Sequence, residues 1–401
     1  MSTINLEMLL GACSPGGPSC LSVRTELAPA AGPEAAVAPA KFVRGSQSCY
    51  AYERRFINGI PQDTVLIDSK QSQLNRAEAA LVQAIRDHHA VITRIPRIEI
   101  VYERDGVEER YSDLELPHRA FDGHIRAGSI DGTPTTQHPA YRALRDATPL
   151  NARALLETSP ATLNFGGWDS TRRSHQGRWR SVLSGEIIGV CASTEEPKRG
   201  GARVDPVGMQ VLLGAKDMEM LLDAMGGELS PKLVAQVKKD IEKAKGAPIS
   251  ASRFGLGGIP PSLEALGGVA CSRIVRAHVL SFATLRQIRF GEITPEATVA
   301  ARAVLAAIAI NGLARSNAEL YLRANCDLVE TSPISAIVDR RNGKDEPVNF
   351  PDIPAADALL AEAIGLAEQA MELDFHGLAL EVKGDPAIVI GVLDTDDGVE
   401  S

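Results

Sequence analysis

A chain of 401 residues, 44% of them apolar, buries a sizeable core, which excludes a disordered or fibrous protein. Aromatics are only 4%, so a nucleic-acid surface resting mainly on stacked rings is excluded, and 35 Gly with 24 Pro require long loops around a compact centre. The net charge of −9 disfavours a polyanionic partner only as an average, because from Asp345 onward 14 carboxylates face the single basic Lys383 and residues 1–344 carry +4. That acidic end lies away from a nucleic-acid groove, shields it from neighbours, or is simply a solvated helix and tail.

The six cysteines form no C-x-x-C pair and lack the His spacing of a zinc site, so they read as reduced thiols of a cytoplasmic protein with neither metal nor cofactor. Leu10 to Cys13 outlines a lipoprotein cleavage site, but no basic residue precedes it. The most apolar stretch, Ala297 to Ala314, contains Arg302 and Asn311, which predicts a buried core helix and no membrane span.

In chain order, Leu21 to Leu27 alternates as a half-buried strand does, and Ala28 to Ala40 is an Ala/Pro-rich loop. Thr64 to Asp68 reads as a strand. Asp68 or Ser69 then caps a helix whose Leu74, Ala77, Leu81, Ala84 and Ile85 share one face. Ile95 to Glu103 and Glu108 to Leu116 flank Asp105-Gly106 and predict a hairpin, a candidate projecting finger. Ala161 to Trp168 is expected as a strand, followed by a basic loop from Asp169 to Gly177, while Arg178 to Cys191 fits helix or strand. Residues 195–249 turn charged and Met-rich, with Pro231 to Lys245 helical, and read as an insertion; Pro295 to Ser316 and Ala355 to Asp374 are further helices, with Glu319 to Val329 a possible closing strand between them.

Four segments carry candidate chemistry. Asp68 to Arg76 opens its helix with eight polar residues, and free N–H groups beside Ser69, Gln71, Ser72, Asn75 and Arg76 suit a phosphate or ribose, although an ordinary capped helix has the same pattern. Asn164 to Arg180 sets Arg172, Arg173, His175, Arg178 and Arg180 among Trp168 and Trp179, a mixture suited to single-stranded nucleic acid; a Trp that ends a strand is more often core. Cys271 to Phe290 has five basic residues and no acid. Taken as a helix, it puts Arg273 and Arg276 on one stripe, and salt-bridged arginines explain it equally well. Gly255 to Pro261 offers close backbone approach to phosphate or merely a flexible connector. The Walker A, H-E-x-x-H and G-x-S-x-G patterns are missing from the sequence, and no Cys/His arrangement has recognisable spacing, so no catalytic residue is assigned.

The run Val65 to Glu78 resembles the D-S-x-Q-S-Q-x-N-R signature of the type I-G (formerly I-U) CRISPR-associated Cas-seven family, of the RAMP superfamily. Leu163 to Ser170 with Arg180 to Gly189 is similar to its G-x-W-D-S and S-E-I-x-G blocks, and Ile259 to Arg286 resembles a third block. The resemblance implies an α+β fold, a modified RRM-like or ferredoxin-like palm (residues 1–194 and 250–401) with a finger hairpin near 95–116, an acidic C-terminal region and a thumb-like insertion at 195–249. It also implies a non-catalytic backbone subunit of a Cascade surveillance complex in antiviral defence. Its expected partners are CRISPR RNA, a target DNA strand paired to the guide, copies of itself, a fused Cas-five/Cas-six-like subunit and a helicase-nuclease effector. Two alternatives remain: an RNA-guided RNA endonuclease of type III kind using Asp122 or Asp169, and a purely structural assembly protein.

Overall fold

The computed structural model describes residues 1–104, 106–172, 177–191, 194–195 and 197–390. The chain divides into two compact units, Met1–Thr194 with Val269–Val389, and Glu195–Gly268. The first is built on strands β1 (Cys20–Pro29), β2 (Tyr52–Ile57), β3 (Ile60–Asp68), β4 (Leu183–Cys191), β5 (Cys271–Ser281), β6 (Ser335–Asp339) and β7 (Asp345–Asn349). They lie in the order β7-β6-β1-β5-β4-β3-β2, every adjacent pair antiparallel, with Ser2–Thr3 added beside β7 and Leu328–Glu330 on β1.

The expected strand Leu21 to Leu27 is the middle of β1. Its alternation works as read: Leu21, Val23, Thr25 and Leu27 are buried, while Ser22, Arg24 and Glu26 lie on the opposite, open face. The buried face is covered by helices α1 (Leu6–Cys13), α2 (Lys70–Arg86), α3 (Pro295–Glu319) and α4 (Ile353–Met371), and Leu21, Val23, Ala77, Leu81, Val304, Ile308 and Leu360 share one core. One-sided covering of an antiparallel sheet makes this an α+β fold, compatible with the RRM-like palm expected from the sequence.

Helix α3 is long and apolar enough to cross a membrane, yet its most apolar stretch is 89% buried inside the unit. Two of its buried polar side chains find partners there. Arg302 donates to the carbonyls of Ile288 (2.9 Å), Cys13 (3.3 Å) and Arg286 (3.0 Å), and Asn311 donates to Asp357 (2.7 Å).

The hairpin near 95–116 forms from Arg97–Arg104 and Val107–Ser112, with Gly106 at φ 79° as its turn requires; Asp105 lies outside the described residues. It is anchored, since Arg97–Arg104 also pairs in parallel with Leu378–Lys383 and buries Ile98, Ile100 and Tyr102. Below it sits Asp113, whose carboxylate accepts hydrogen bonds from Ser159 and from Ser112 (3.1 Å), and complete burial pushes its carboxyl up to about 6.

A raised carboxyl binds its proton more tightly in the native state, so this contribution costs nothing below about pH 4 and is fully destabilising above about pH 6, by roughly 3 kcal/mol. Urea unfolding at pH 4.5 and 7.5 is therefore expected to show a smaller loss of stability for Asp113→Asn than for the native chain.

Two sequence expectations are corrected. Ala161 to Trp168 is no strand: Pro160–Phe165 is a short helix with proline at its first turn, and only Gly167–Trp168 is extended. Arg178 to Cys191 resolves as extended, Arg178–Trp179 followed by β4. Glu319 belongs to α3, and strand structure resumes only at Leu328–Glu330, after Leu320 takes φ 44° at the helix end.

The second unit pairs Lys198–Arg203 with Ile259–Leu266 and Leu212–Leu213 with Ile249–Ser250. The Gly/Pro-rich stretch is therefore part of it. Helices Ala215–Met225 and Pro231–Lys243 pack on a small core of Met218, Leu222, Val237, Ile249, Ala251 and Phe254.

Candidate nucleic-acid interface

Strand β3 ends on Asp68, and helix α2 begins two residues later with Ser69 as its cap, accepting the N–H of Ser72 at 3.2 Å. Asp68 is fully buried and receives Ser72 Oγ (2.9 Å), Gln73 Nε2 (2.5 Å), Arg76 Nε (3.0 Å) and the Arg323 guanidinium. Burial alone works to raise this carboxyl, and the Arg76 and Gln73 hydrogen bonds with the charges of Arg76 and Arg323 outweigh it, holding it below its usual range. Arg76 also donates to the carbonyls of Tyr321 (2.5 Å) and Leu322 (3.1 Å). Of the five residues expected here to meet a ligand, Ser72 is thus tied to Asp68, and Arg76 fastens the helix start to Asp68 and to residues 321–322. Ser69 is half-buried, and Gln71 and Asn75 stand exposed with their neighbour Lys70.

The Trp168 segment is positioned by an ion pair that sequence reasoning missed. Glu78, buried on α2, takes both oxygens to Arg119 (2.5 and 2.6 Å), and Arg119 donates onward to the carbonyl of Gly166 (2.9 Å). Burial pushes the Glu78 carboxyl up, and Arg119 opposes the shift. Gly166 and Gly167 then carry the chain close over Ser181 and Phe121, where a side chain has no room. Gly167–Trp168 pairs with Arg178–Trp179, placing Trp168 opposite Arg178.

The two tryptophans part roles. Trp179 is buried, whereas Trp168 is 48% exposed with the Arg178 guanidinium 5.2 Å from its ring centroid. The reading of a strand-ending Trp as core does not hold for Trp168, whose two-residue strand pairs only with Arg178–Trp179, apart from the nine-stranded sheet. Arg180 is exposed beside them. Arg172 instead donates to Asp146 (2.6 Å), whose carboxyl Arg145 and Arg172 hold down at about 2. Arg173 and His175 lie outside the described residues.

The stripe expected from Arg273 and Arg276 does not exist. Cys271–Ser281 is a strand, β5, and residues three apart on a strand point to opposite faces. Arg276 is 2% exposed on the helix side, donating to Glu330 (2.5 Å) and Thr25 Oγ1 (3.4 Å), and burial lowers its pKa. Arg273 lies on the open face and donates Nε to Glu26 (2.9 Å). On that face Arg24, Arg55, Glu186 and Arg273 line a groove of about 430 Å³, floored by Ile188 and Val275, with Arg55 at 2.5 Å from Glu186. Alternation on β4 and β5 was the signal that locates this groove, obscured by the adjacent apolar pair Ile274-Val275.

Gly185 is explained by the buried row under the same strands. Its position on β4 faces His278, and an added Cβ falls 2.0 Å from the ring; burial keeps that imidazole neutral, with its pKa pushed down to about 3. Gly185→Ala is expected to cost about 1–3 kcal/mol in urea unfolding, and a change near zero contradicts the close packing.

An antiparallel sheet with helices on one face, accompanied by a separate two-stranded ribbon that carries an exposed tryptophan beside an arginine, defines an α+β protein. Residues 21–194 match the model of the family described as CRISPR-associated protein GSU0053, so over that stretch the chain is similar to a CRISPR-associated protein family. The matched stretch contains both the α2 start and the Trp168 to Arg180 segment. No curated protein matches the chain.

Proposed function

We propose that this chain is a CRISPR RNA-binding, non-catalytic backbone subunit of a type I-G Cascade surveillance complex. Copies line up along one guide, whose pairing to DNA selects the target. The observation that carries the reading is the exposed Trp168 stacked with Arg178, inside the stretch matched to a CRISPR-associated family. A ring open to solvent and backed by a cation serves any base, as a backbone subunit that ignores spacer sequence requires. Lys70, Gln71 and Asn75 at the exposed start of α2 supply further donors to phosphate and ribose.

The surroundings of the two aspartates considered for RNA cleavage favour the non-catalytic reading. Asp122 accepts the N–H groups of His118 (3.1 Å) and His124 (3.0 Å), and Asp169 is buried against Arg126 at 3.3 Å. The proposed partners are the guide, further copies, a Cas-five/Cas-six-like subunit and a helicase-nuclease, in the cytoplasm. Purifying the chain with its neighbouring subunits and sequencing the bound nucleic acid tests this. Repeat-flanked guide RNA is the expected result, and a complex free of RNA overturns it.

A further inference from the structure

The second unit has more apolar surface than its small core uses. Val207, Val211, Leu213, Met220, Leu221 and Leu256 line a groove of about 660 Å³, with Val207 90% and Met220 62% exposed. The charged residues on this groove are both acidic, Asp205 and Asp217. Asp205 accepts the backbone N–H groups of Val207 (2.8 Å) and Gly257 (2.8 Å), which hold its carboxyl below the usual range and fix a negative charge at the rim. An apolar trough with acidic edges selects an apolar side chain carrying a cation beside it.

One segment of this chain has that chemistry. In the first unit, Lys41–Arg44 pairs with Gln47–Tyr50 as a two-stranded ribbon outside the nine-stranded sheet. It presents exposed Phe42 and Val43, the latter 69% exposed, between exposed Lys41 and Arg44. A lone ribbon is marginal by itself, and exposed apolar residues on it gain stability when another surface covers them.

We propose that the Lys41–Tyr50 hairpin of one copy docks in the Val207–Met220–Leu256 groove of a second copy, with Val43 on the apolar floor and Lys41, on the same face of the strand, against Asp205 and Asp217. This rests on the reading that copies stand side by side on one RNA. The two surfaces differ, so the contact is heterologous and propagates head to tail instead of closing a dimer.

Full-length chain carrying a photoreactive benzoylphenylalanine at Val43 tests it, mixed from light- and heavy-nitrogen preparations and irradiated with and without single-stranded RNA. Crosslinks are expected between light and heavy peptides, landing near Val207, Met220 or Leu256. Lys41→Asp should lower their yield at least about five-fold, and Asp217→Lys in the receiving copy should restore it. Crosslinks confined to one copy, crosslinks landing elsewhere, or none at all overturn the docking. Filter binding of the native chain to the same RNA is read separately. A chain that binds RNA without groove crosslinks loses only the docking, and one that gives groove crosslinks without binding RNA loses only the RNA reading.

Discussion

Arg119→Ala will lower the unfolding free energy by about 3–5 kcal/mol at pH 8, the largest single-residue effect expected outside the apolar core. Glu78 and Arg119 are both buried and joined by two hydrogen bonds, so removing the guanidinium leaves a buried carboxyl that must stand unpaired or take up a proton against the solvent pH, and either costs stability. The same change frees the carbonyl of Gly166, which loses its Arg119 donor. Adding Glu78→Gln should recover part of the loss, because an amide needs no cation and only a hydrogen-bond partner. Urea unfolding of the two variants measures both effects; a loss under about 1 kcal/mol, the size of an exposed pair, contradicts the buried ion pair.

Trp168→Ala combined with Arg178→Ala will weaken binding of single-stranded RNA without lowering stability appreciably, since both side chains are largely exposed. Loss of one stacked base is worth about 1–3 kcal/mol, which corresponds to roughly 5- to 150-fold in the dissociation constant. The Arg178 change alone should flatten the dependence of log affinity on log salt by about 0.7, the share of one single-strand phosphate contact. Both effects should be the same for unrelated spacer sequences. Filter-binding titrations over a salt series measure them, and an unchanged slope removes Arg178 from the phosphate contacts.

The elements most legible in the sequence were those with an unbroken period. Strand β1 alternates cleanly over Leu21 to Leu27, and α2 and α3 repeat their apolar residues at helical spacing. The failures came where local chemistry suits two states. In β5, Arg273 and Arg276 mimic a helical stripe, and only pairing with β1 and β4 decides for a strand. In Ala161 to Trp168, Ser159-Pro160 starts one helical turn that a β-prone composition hides.

Of the candidate interface, residue types were readable and orientations were not. Arg76 looked like a phosphate ligand, but Asp68 and the carbonyls at 321–322 take its donors, and those carbonyls lie 245 and 246 positions away, where no local pattern reveals them. Arg276 is likewise consumed by Glu330. For Trp168 the sequence left core and nucleic-acid contact as rivals, and its 48% exposure decides against the core, next to Gly166, whose carbonyl takes a hydrogen bond from Arg119.

Crosslinking of the co-purified complex by ultraviolet light, followed by mass spectrometry of nucleotide-bearing peptides, tests most directly that this chain holds a guide strand along the α2 start and the Trp168 ribbon. The account predicts nucleotide adducts on peptides containing Lys70 to Asn75 and Trp168 to Arg180. Adducts restricted to other surfaces, such as the open sheet face around Arg55 and Arg273, contradict it.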